Sequence, residues 1–337
     1  MPTSIDSFSD FETDFSAQFD PQLKPVDVVQ DITPAEFETK YRRPSVPVII
    51  EGLASKWPAA LLWNDPAHLI ARSGNHVVYV RDLDAGSTNF EDYREAYAEV
   101  RFSDFVRSVT SENPKAWYLT QGSLMKAVGA NAALARKTFP AWLPELAQDL
   151  EVPPFWDRNS LRETNLWMGG GGQISALHFD ECDNINALVS GSKRWLLFPT
   201  SETQNLLQRG GSGRSSLIRG FHQAETARFS HPDRRNARGY QCVTKPGQML
   251  FVPSGMWHQV FSGPEFNTAI NFWFMRIPGD LKRCCRVHAR RYAGFKSRKR
   301  YGAALTAVYA QVGWRLAMHG LGVGGSNDVL VGPTAYD

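Results

Sequence analysis

From residue 163 to residue 275 the chain is cut into short strand-like runs separated by turn residues, and this rhythm limits its folds more than any other feature. The runs are 163–168, 174–180, 185–190, 193–198, 240–244, 248–252, 257–261 and 267–275. Gly169–Gly172, Ser190-Gly191, Pro246-Gly247 and Ser262-Gly263-Pro264 punctuate them. Glycine supplies backbone conformations other residues avoid, and proline removes an amide donor, so each cluster ends a run. Apolar runs of five to nine residues are too short for helices that bury a face. Many short strands with few helices predict a mainly β chain, a double-sheet jelly roll of the double-stranded β-helix kind, with flanking N-terminal and C-terminal helices.

The pattern changes character at Pro153-Pro154, which sets the strand-rich core at 154–278. Upstream, 24–153 reads as an α+β region. Short strands are expected at 47–50, 76–81 and 117–120, and helices at 89–109 and 122–136, with Pro140 and Pro144 closing that stretch. Residues 1–23 hold five acids and no bases, an expected flexible arm. Within the core, 205–239 contains Gly210-Gly211-Ser212-Gly213 and reads as an insertion able to cover a cavity mouth. After it, 279–300 is basic and 301–314 is uncharged, which predicts C-terminal helices over 279–320 packed on the barrel or on a second subunit. A loose tail is expected at 321–337, and no internal repeat is visible.

Charge and cysteine content exclude some classes. Thirty-seven basic against 34 acidic side chains give a net charge of +3, too small a bias to imply nucleic acid by itself. Cys182 and Cys242 stand alone and Cys284-Cys285 are adjacent, a poor spacing for a disulfide, so a reducing cytoplasm is expected. The N-terminus has no basic stretch followed by an apolar run, and no segment is apolar enough for a bilayer, so neither a leader nor a membrane partner is expected.

The chemistry centres on Ser175-Ala-Leu-His178-Phe-Asp180. Residues two apart on a strand share a face, so His178 and Asp180 offer an imidazole nitrogen and a carboxylate oxygen to one point. His258 opens another run and completes two histidines and one carboxylate, the facial triad of non-heme Fe(II). His222 and His231 are the alternatives for the third ligand, in the Gly-rich insertion with less strand character. An isolated His-x-Asp also occurs as ordinary polarity, so the surroundings must decide.

Those surroundings are His178-Phe-Asp180-Glu-Cys-Asp-Asn184, Gly191-Ser-Lys193-Arg194-Trp-Leu-Leu-Phe-Pro199, Pro246-Gly-Gln-Met-Leu-Phe-Val-Pro253, Trp257-His258 and Asn271-Phe-Trp273. Together they resemble the JmjC/cupin-like 2-oxoglutarate oxygenases over roughly 115–275, nearest in motif to the asparaginyl hydroxylases of the hypoxia-inducible factor. The resemblance implies an iron triad of His178, Asp180 and His258. It implies that Lys193 pairs with the distal carboxylate of 2-oxoglutarate and that the hydroxyls of Ser175 and Tyr118 assist. It places Asn184 and Asn271 along the iron and cosubstrate site and Trp273 beside cosubstrate and substrate. A lysine two residues after Gly191 in an apolar strand is costly to bury without an anion, which reads the same way. Resemblance also implies homodimerisation through the C-terminal helices.

The expected activity is hydroxylation of an unactivated C–H bond, with O₂ as second cosubstrate and succinate and CO₂ released. A protein or peptide side chain is the first expected substrate. A small metabolite or natural-product precursor, an RNA and an N-methyl-lysine are the alternatives. A metal-binding cupin without turnover is a reading from another class; the intact triad and Lys193 weigh against it.

Overall fold

The structure, a computed structural model, describes residues 22–82, 97–125, 142–204, 206, 237–276, 280, 282, 285–286 and 298–320. Its strands, in chain order, are β1 (Gln22–Pro25), β2 (Asp27–Gln30), β3 (Val48–Glu51), β4 (Val77–Asp82), β5 (Tyr97–Arg101), β6 (Trp117–Met125) and β7 (Leu161–Gly169). They continue as β8 (Ile174–Phe179), β9 (Asp183–Ser190), β10 (Lys193–Phe198), β11 (Arg238–Thr244), β12 (Met249–Val252), β13 (Trp257–Ser262) and β14 (Asn267–Phe274). A smaller sheet runs β1-β11-β10-β13-β8 and a larger one β2-β3-β12-β9-β14-β7-β6-β4-β5. This is the mainly β, double-stranded β-helix expected from the spacing of the runs. All eight predicted core runs coincide with strands to within two residues.

Side-chain alternation divides the larger sheet into two faces. Ile185, Ala187 and Val189 of β9 and Ile270, Phe272 and Phe274 of β14 point outward, into one core with Phe37 and Phe105. Helices α1 (Pro34–Phe37), α2 (Pro58–Leu62), α3 (Pro66–Ser73) and α4 (Phe102–Val109) flank the barrel from the N-terminal side. Each large side chain buried there contributes about 1.5–3 kcal/mol relative to exposure, which fixes the N-terminal region to the barrel. The alternate residues face the smaller sheet. Trp195, Leu197 and Val260 meet Leu250 and Val252 between the sheets. Helix α5 (Arg298–Gly320) packs Leu305, Val308 and Val312, spaced along one helical face, against Cys182, Trp273 and Met275.

The N-terminal region differs from the sequence reading in three places. Residues 97–101 were expected inside a helix but form β5, antiparallel to β4, with the Tyr79 hydroxyl donating to Glu99 at 2.6 Å. Cross-strand pairing outweighs the local helical spacing there, and the helix begins only at Phe102. Residues 122–125 likewise continue β6 along β7, with irregular register. Strands β1 and β2 lacked a legible signal, because each is four residues long and held by parallel pairing to a distant strand. Residues 1–21, most of the 205–239 insertion, 287–297 and 321–337 lie outside the described residues. Among the described residues, no helix is long and apolar enough to cross a membrane.

Candidate metal and cosubstrate site

β8 carries His178 and ends one residue before Asp180. On its antiparallel neighbour β13, His258 lies directly across from His178. Opposed residues share a face, and the two rings sit with centroids 4.2 Å apart. His258 Nε2 is 3.8 Å from Asp180 Oδ2. One ligand atom from each of the three residues lies within 4.8 Å of the others.

The protonation of both rings follows from their partners. His178 Nδ1 is 2.6 Å from the Ala176 carbonyl and His258 Nδ1 is 3.0 Å from the Met256 carbonyl. A carbonyl oxygen only accepts, so each Nδ1 donates, and in the neutral tautomer this fixes, Nε2 is the atom that would ligate a metal. Backbone partners of this kind also fix ring orientation. Two imidazole nitrogens and one carboxylate oxygen, with positions left open, fit non-heme Fe(II).

A bulge shapes the wall beside the triad. Ser175 lies three residues before His178, a spacing that would put it on the opposite face of a regular strand. The β8–β13 register shifts between His258 and Val260, so that His258 faces His178 and Val260 faces Ser175. The extra residue restores Ser175 to the inner face. On β10, Lys193 opposes Ser262 and Trp195 opposes Val260, so Lys193 shares that face. Lys193 is only 4% exposed, and among the described residues its ammonium makes no ion pair or hydrogen bond. Burial pushes its pKa down to about 8. A buried cation lacking an anion fits a ligand with a carboxylate to place there.

Polar residues of the larger sheet form the opposite wall. Asn271 stands between Asn186 on β9 and Asn165 on β7, and Trp273 stands between Asn184 and Glu163. The Asn186 amide donates to Asn271 Oδ1. Asn184 Oδ1 and Asn186 Oδ1 are buried without a hydrogen-bond donor among the described residues. Tyr118 is buried on β6, its ring 5.9 Å from that of Trp167. Burial raises its pKa, so its phenol keeps the proton and can donate.

The structure thus brings His178, Asp180 and His258 together, and places Ser175 and Lys193 on one wall and Asn184, Asn271, Trp273 and Tyr118 on the other sheet. His222 and His231 lie outside the described residues. Sequence reasoning missed Asn186, Asn165, Trp167 and Trp195. Asn186 was reachable by stepping two residues on from Asn184 along the strand; the pairing with Asn271 depends on register and was not. Cys182, two residues after Asp180, is buried, accepts from Arg162 at 3.4 Å and packs with Trp273 and Met275, and burial pushes its thiol up.

Comparison with known proteins agrees with this geometry. The family described as the cupin-like domain matches residues 34–280, and the chain belongs to it. The chain is 26% identical to the Jumonji C domain-containing protein 5 of Drosophila melanogaster over 71% of its length and 57% of that protein. It is 25% identical to lysine-specific demethylase JMJ31 of Arabidopsis thaliana over 72% of its length and 48% of the relative. It is 24% identical to human tRNA wybutosine-synthesizing protein 5 over 77% of its length and 80% of the relative. The matched region spans about half the length of the first two relatives. Triad and relatives together support Fe(II)- and 2-oxoglutarate-dependent oxygenase chemistry of the JmjC/cupin-like class. They single out no asparaginyl hydroxylase within it.

Proposed function

We propose that the chain hydroxylates an unactivated C–H bond, using Fe(II) at His178, Asp180 and His258 with 2-oxoglutarate and O₂ as cosubstrates. Such a centre, when loaded, couples oxidative decarboxylation of 2-oxoglutarate to succinate and CO₂ with oxygen insertion into a neighbouring C–H bond. In this reading Lys193 binds the distal carboxylate as a charge-assisted partner, and the Ser175 and Tyr118 hydroxyls donate to the same group. Asn184 and Asn271 hold the reacting end through their amides, with Asn186 orienting the second. Trp273 shapes the space beside the C–H bond. The apolar Trp195, Leu197 and Val260 keep water from the inner face. No side chain is asked to move a proton.

The observation that carries the reading is Lys193, a buried ammonium on the triad's own face with no anion among the described residues. The test is anaerobic Fe(II) loading followed by 2-oxoglutarate titration, watching for the weak visible charge-transfer band of bidentate keto-acid chelation. A band in the wild type, lost in His178→Ala and Lys193→Ala, supports both halves of the site. Iron binding without the band sinks the 2-oxoglutarate assignment.

For the substrate, a protein or peptide side chain is the first reading, consistent with relatives named as Jumonji C proteins and lysine-specific demethylases. An RNA substrate is the second, favoured by the relative named for wybutosine synthesis in tRNA, which is matched over 80% of its own length. Coupled succinate formation with peptide and tRNA pools separates the two. A homodimer through α5 completes the reading: Trp314 is 62% and Tyr309 38% exposed on a helix whose buried side already packs on the barrel. Sedimentation of wild type and Trp314→Glu tests it.

A further inference from the structure

Arg42 lies in the π-helical turn (Glu38–Arg42) that continues α1, and it is 4% exposed. Its guanidinium reaches three carboxylates: Nε to Asp183 Oδ2 at 2.8 Å, Nη2 to Asp280 Oδ1 at 2.6 Å and Nη1 to Glu38 Oε2 at 3.2 Å. The Trp156 ring lies 5.8 Å away. Nothing in the proposed reaction uses this cation.

What Arg42 holds is the backbone behind the triad. Asp183 is fully buried and divides its oxygens, giving Oδ2 to Arg42 and accepting the Ser254 amide on Oδ1 at 3.0 Å. Ser254 Oγ donates to the Glu181 carbonyl at 2.6 Å, and the Gly255 amide donates to the Asp180 carbonyl at 2.8 Å. Three hydrogen bonds therefore join the segment that leaves Asp180 to the turn that leads into His258. The Arg42 guanidinium 2.8 Å from Asp183 Oδ2 offsets the cost of burying that carboxylate and leaves Oδ1 to accept from Ser254.

We propose that Arg42, acting through Asp183 and Ser254, is a positioning residue that sets the separation of Asp180 and His258 and thereby the metal affinity of the site. This rests on the reading of the triad as a metal site. The competing account is a clamp that only adds stability, fastening α1 and Asp280 to the barrel.

Two measurements on the full chain distinguish them. The first is amide hydrogen exchange at Ser254 and Gly255 in metal-free protein; the second is Co(II) titration of folded protein. Arg42→Gln is expected to speed exchange at those two amides about tenfold or more over β12. It should also raise the Co(II) dissociation constant about 10- to 100-fold, the range for residues behind metal ligands. Ser254→Ala keeps the Arg42–Asp183 pair and is expected to weaken Co(II) only a few-fold. Arg42→Lys, with one ammonium in place of a three-way fork, should fall between wild type and Arg42→Gln. Wild-type Co(II) affinity in folded Arg42 variants overturns the proposal, whatever happens to Tm. If Arg42→Gln does not fold, Arg42→Lys and Ser254→Ala decide in the same way. A wild type that binds no Co(II) overturns the metal reading and the affinity claim together. Unchanged affinity in variants of a metal-binding wild type overturns this proposal alone.

Discussion

His178 and His258 face each other across neighbouring antiparallel strands, 80 residues apart in sequence and 4.2 Å apart between ring centroids. Each donates Nδ1–H to the carbonyl two residues before it, Ala176 and Met256. The same local device on two strands turns both rings onto one face, so the sheet register places two of the three triad residues and Asp180 follows one residue past β8.

Removing one imidazole from this pair leaves two ligands. His258→Ala is expected to weaken Co(II) or Fe(II) binding beyond the roughly 10- to 100-fold typical of residues behind the ligands. Its far-ultraviolet spectrum should stay that of wild type, because the sheet hydrogen bonds run through the backbone. Equilibrium dialysis of folded variant against metal checks this; near wild-type affinity would remove His258 from the ligand set.

Lys193 makes pH a direct probe of the cosubstrate wall. Without a ligand its folded pKa, near 8, lies below its ordinary value of 10.5 because burial disfavours the charged form. The unfolded chain then binds more protons between those values, so stability rises with pH through that window. Below it the buried charge costs about 3–4 kcal/mol, at roughly 1.4 kcal/mol per unit. Lys193→Met should therefore leave the ligand-free Tm at pH 7 equal to or above that of wild type while abolishing 2-oxoglutarate binding. If Lys193 pairs with the distal carboxylate as proposed, 2-oxoglutarate needs the ammonium form, so its Kd should rise by up to about tenfold per pH unit above 8. Calorimetric titrations at pH 7, 8 and 9 read the slope, and a flat profile would contradict the role given to Lys193.

The core was legible because its evidence is local. Turn residues such as Ser190-Gly191 and Pro246-Gly247 mark strand ends directly, and His178 and Asp180 share a face by spacing alone. Non-local pairing was not legible. β5 read as helix because only its ladder with β4 makes it a strand, and the Asn186–Asn271 amide pair exists only through the β9–β14 register. Arg42 gave no signal either, since Lys40-Tyr41-Arg42-Arg43 looks in sequence like any solvated basic turn. Its partners Asp183 and Asp280 lie 141 and 238 residues away.

The turn that delivers Lys193 admits only glycine. Gly191 has φ of +79°, a region L side chains rarely adopt, and a Cβ there would lie 2.5 Å from Asn267 Cγ. Asn267 cannot swing away cheaply, because its Nδ2 donates to the carbonyls of Gly263 and Glu265 at 3.2 and 2.7 Å. Gly191→Ala is expected to cost about 1–3 kcal/mol in backbone strain alone. It should also weaken 2-oxoglutarate, since Lys193 follows two residues later. Chemical denaturation with parallel ligand titration measures both effects; wild-type stability would show that the turn can adopt another conformation.

Acid sensitivity should come from the N-terminal flank. Asp149 is 2% exposed and accepts from Trp63 Nε1 at 2.9 Å, His68 Nε2 at 2.9 Å and Arg72 Nη2 at 3.1 Å, joining α2 and α3 to the stretch that precedes the core. Burial by itself would raise this carboxyl, but the hydrogen bonds from His68, Trp63 and Arg72 outweigh it and hold the pKa below its usual range. A depressed folded pKa gives stability that is fully present above the unfolded value, roughly 3.9, and is lost as pH falls through the folded one. Asp149→Asn keeps the shape and removes the charge. It should cost about 1.5–3 kcal/mol at pH 7, the range for hydrogen bonds to a charged group. The gap to wild type should narrow steadily below pH 4, as wild-type Asp149 takes up its own proton. Denaturant titrations at pH 7, 5, 4 and 3 give the difference directly, and a gap that stayed constant to pH 3 would mean that the Asp149 charge does not hold this flank.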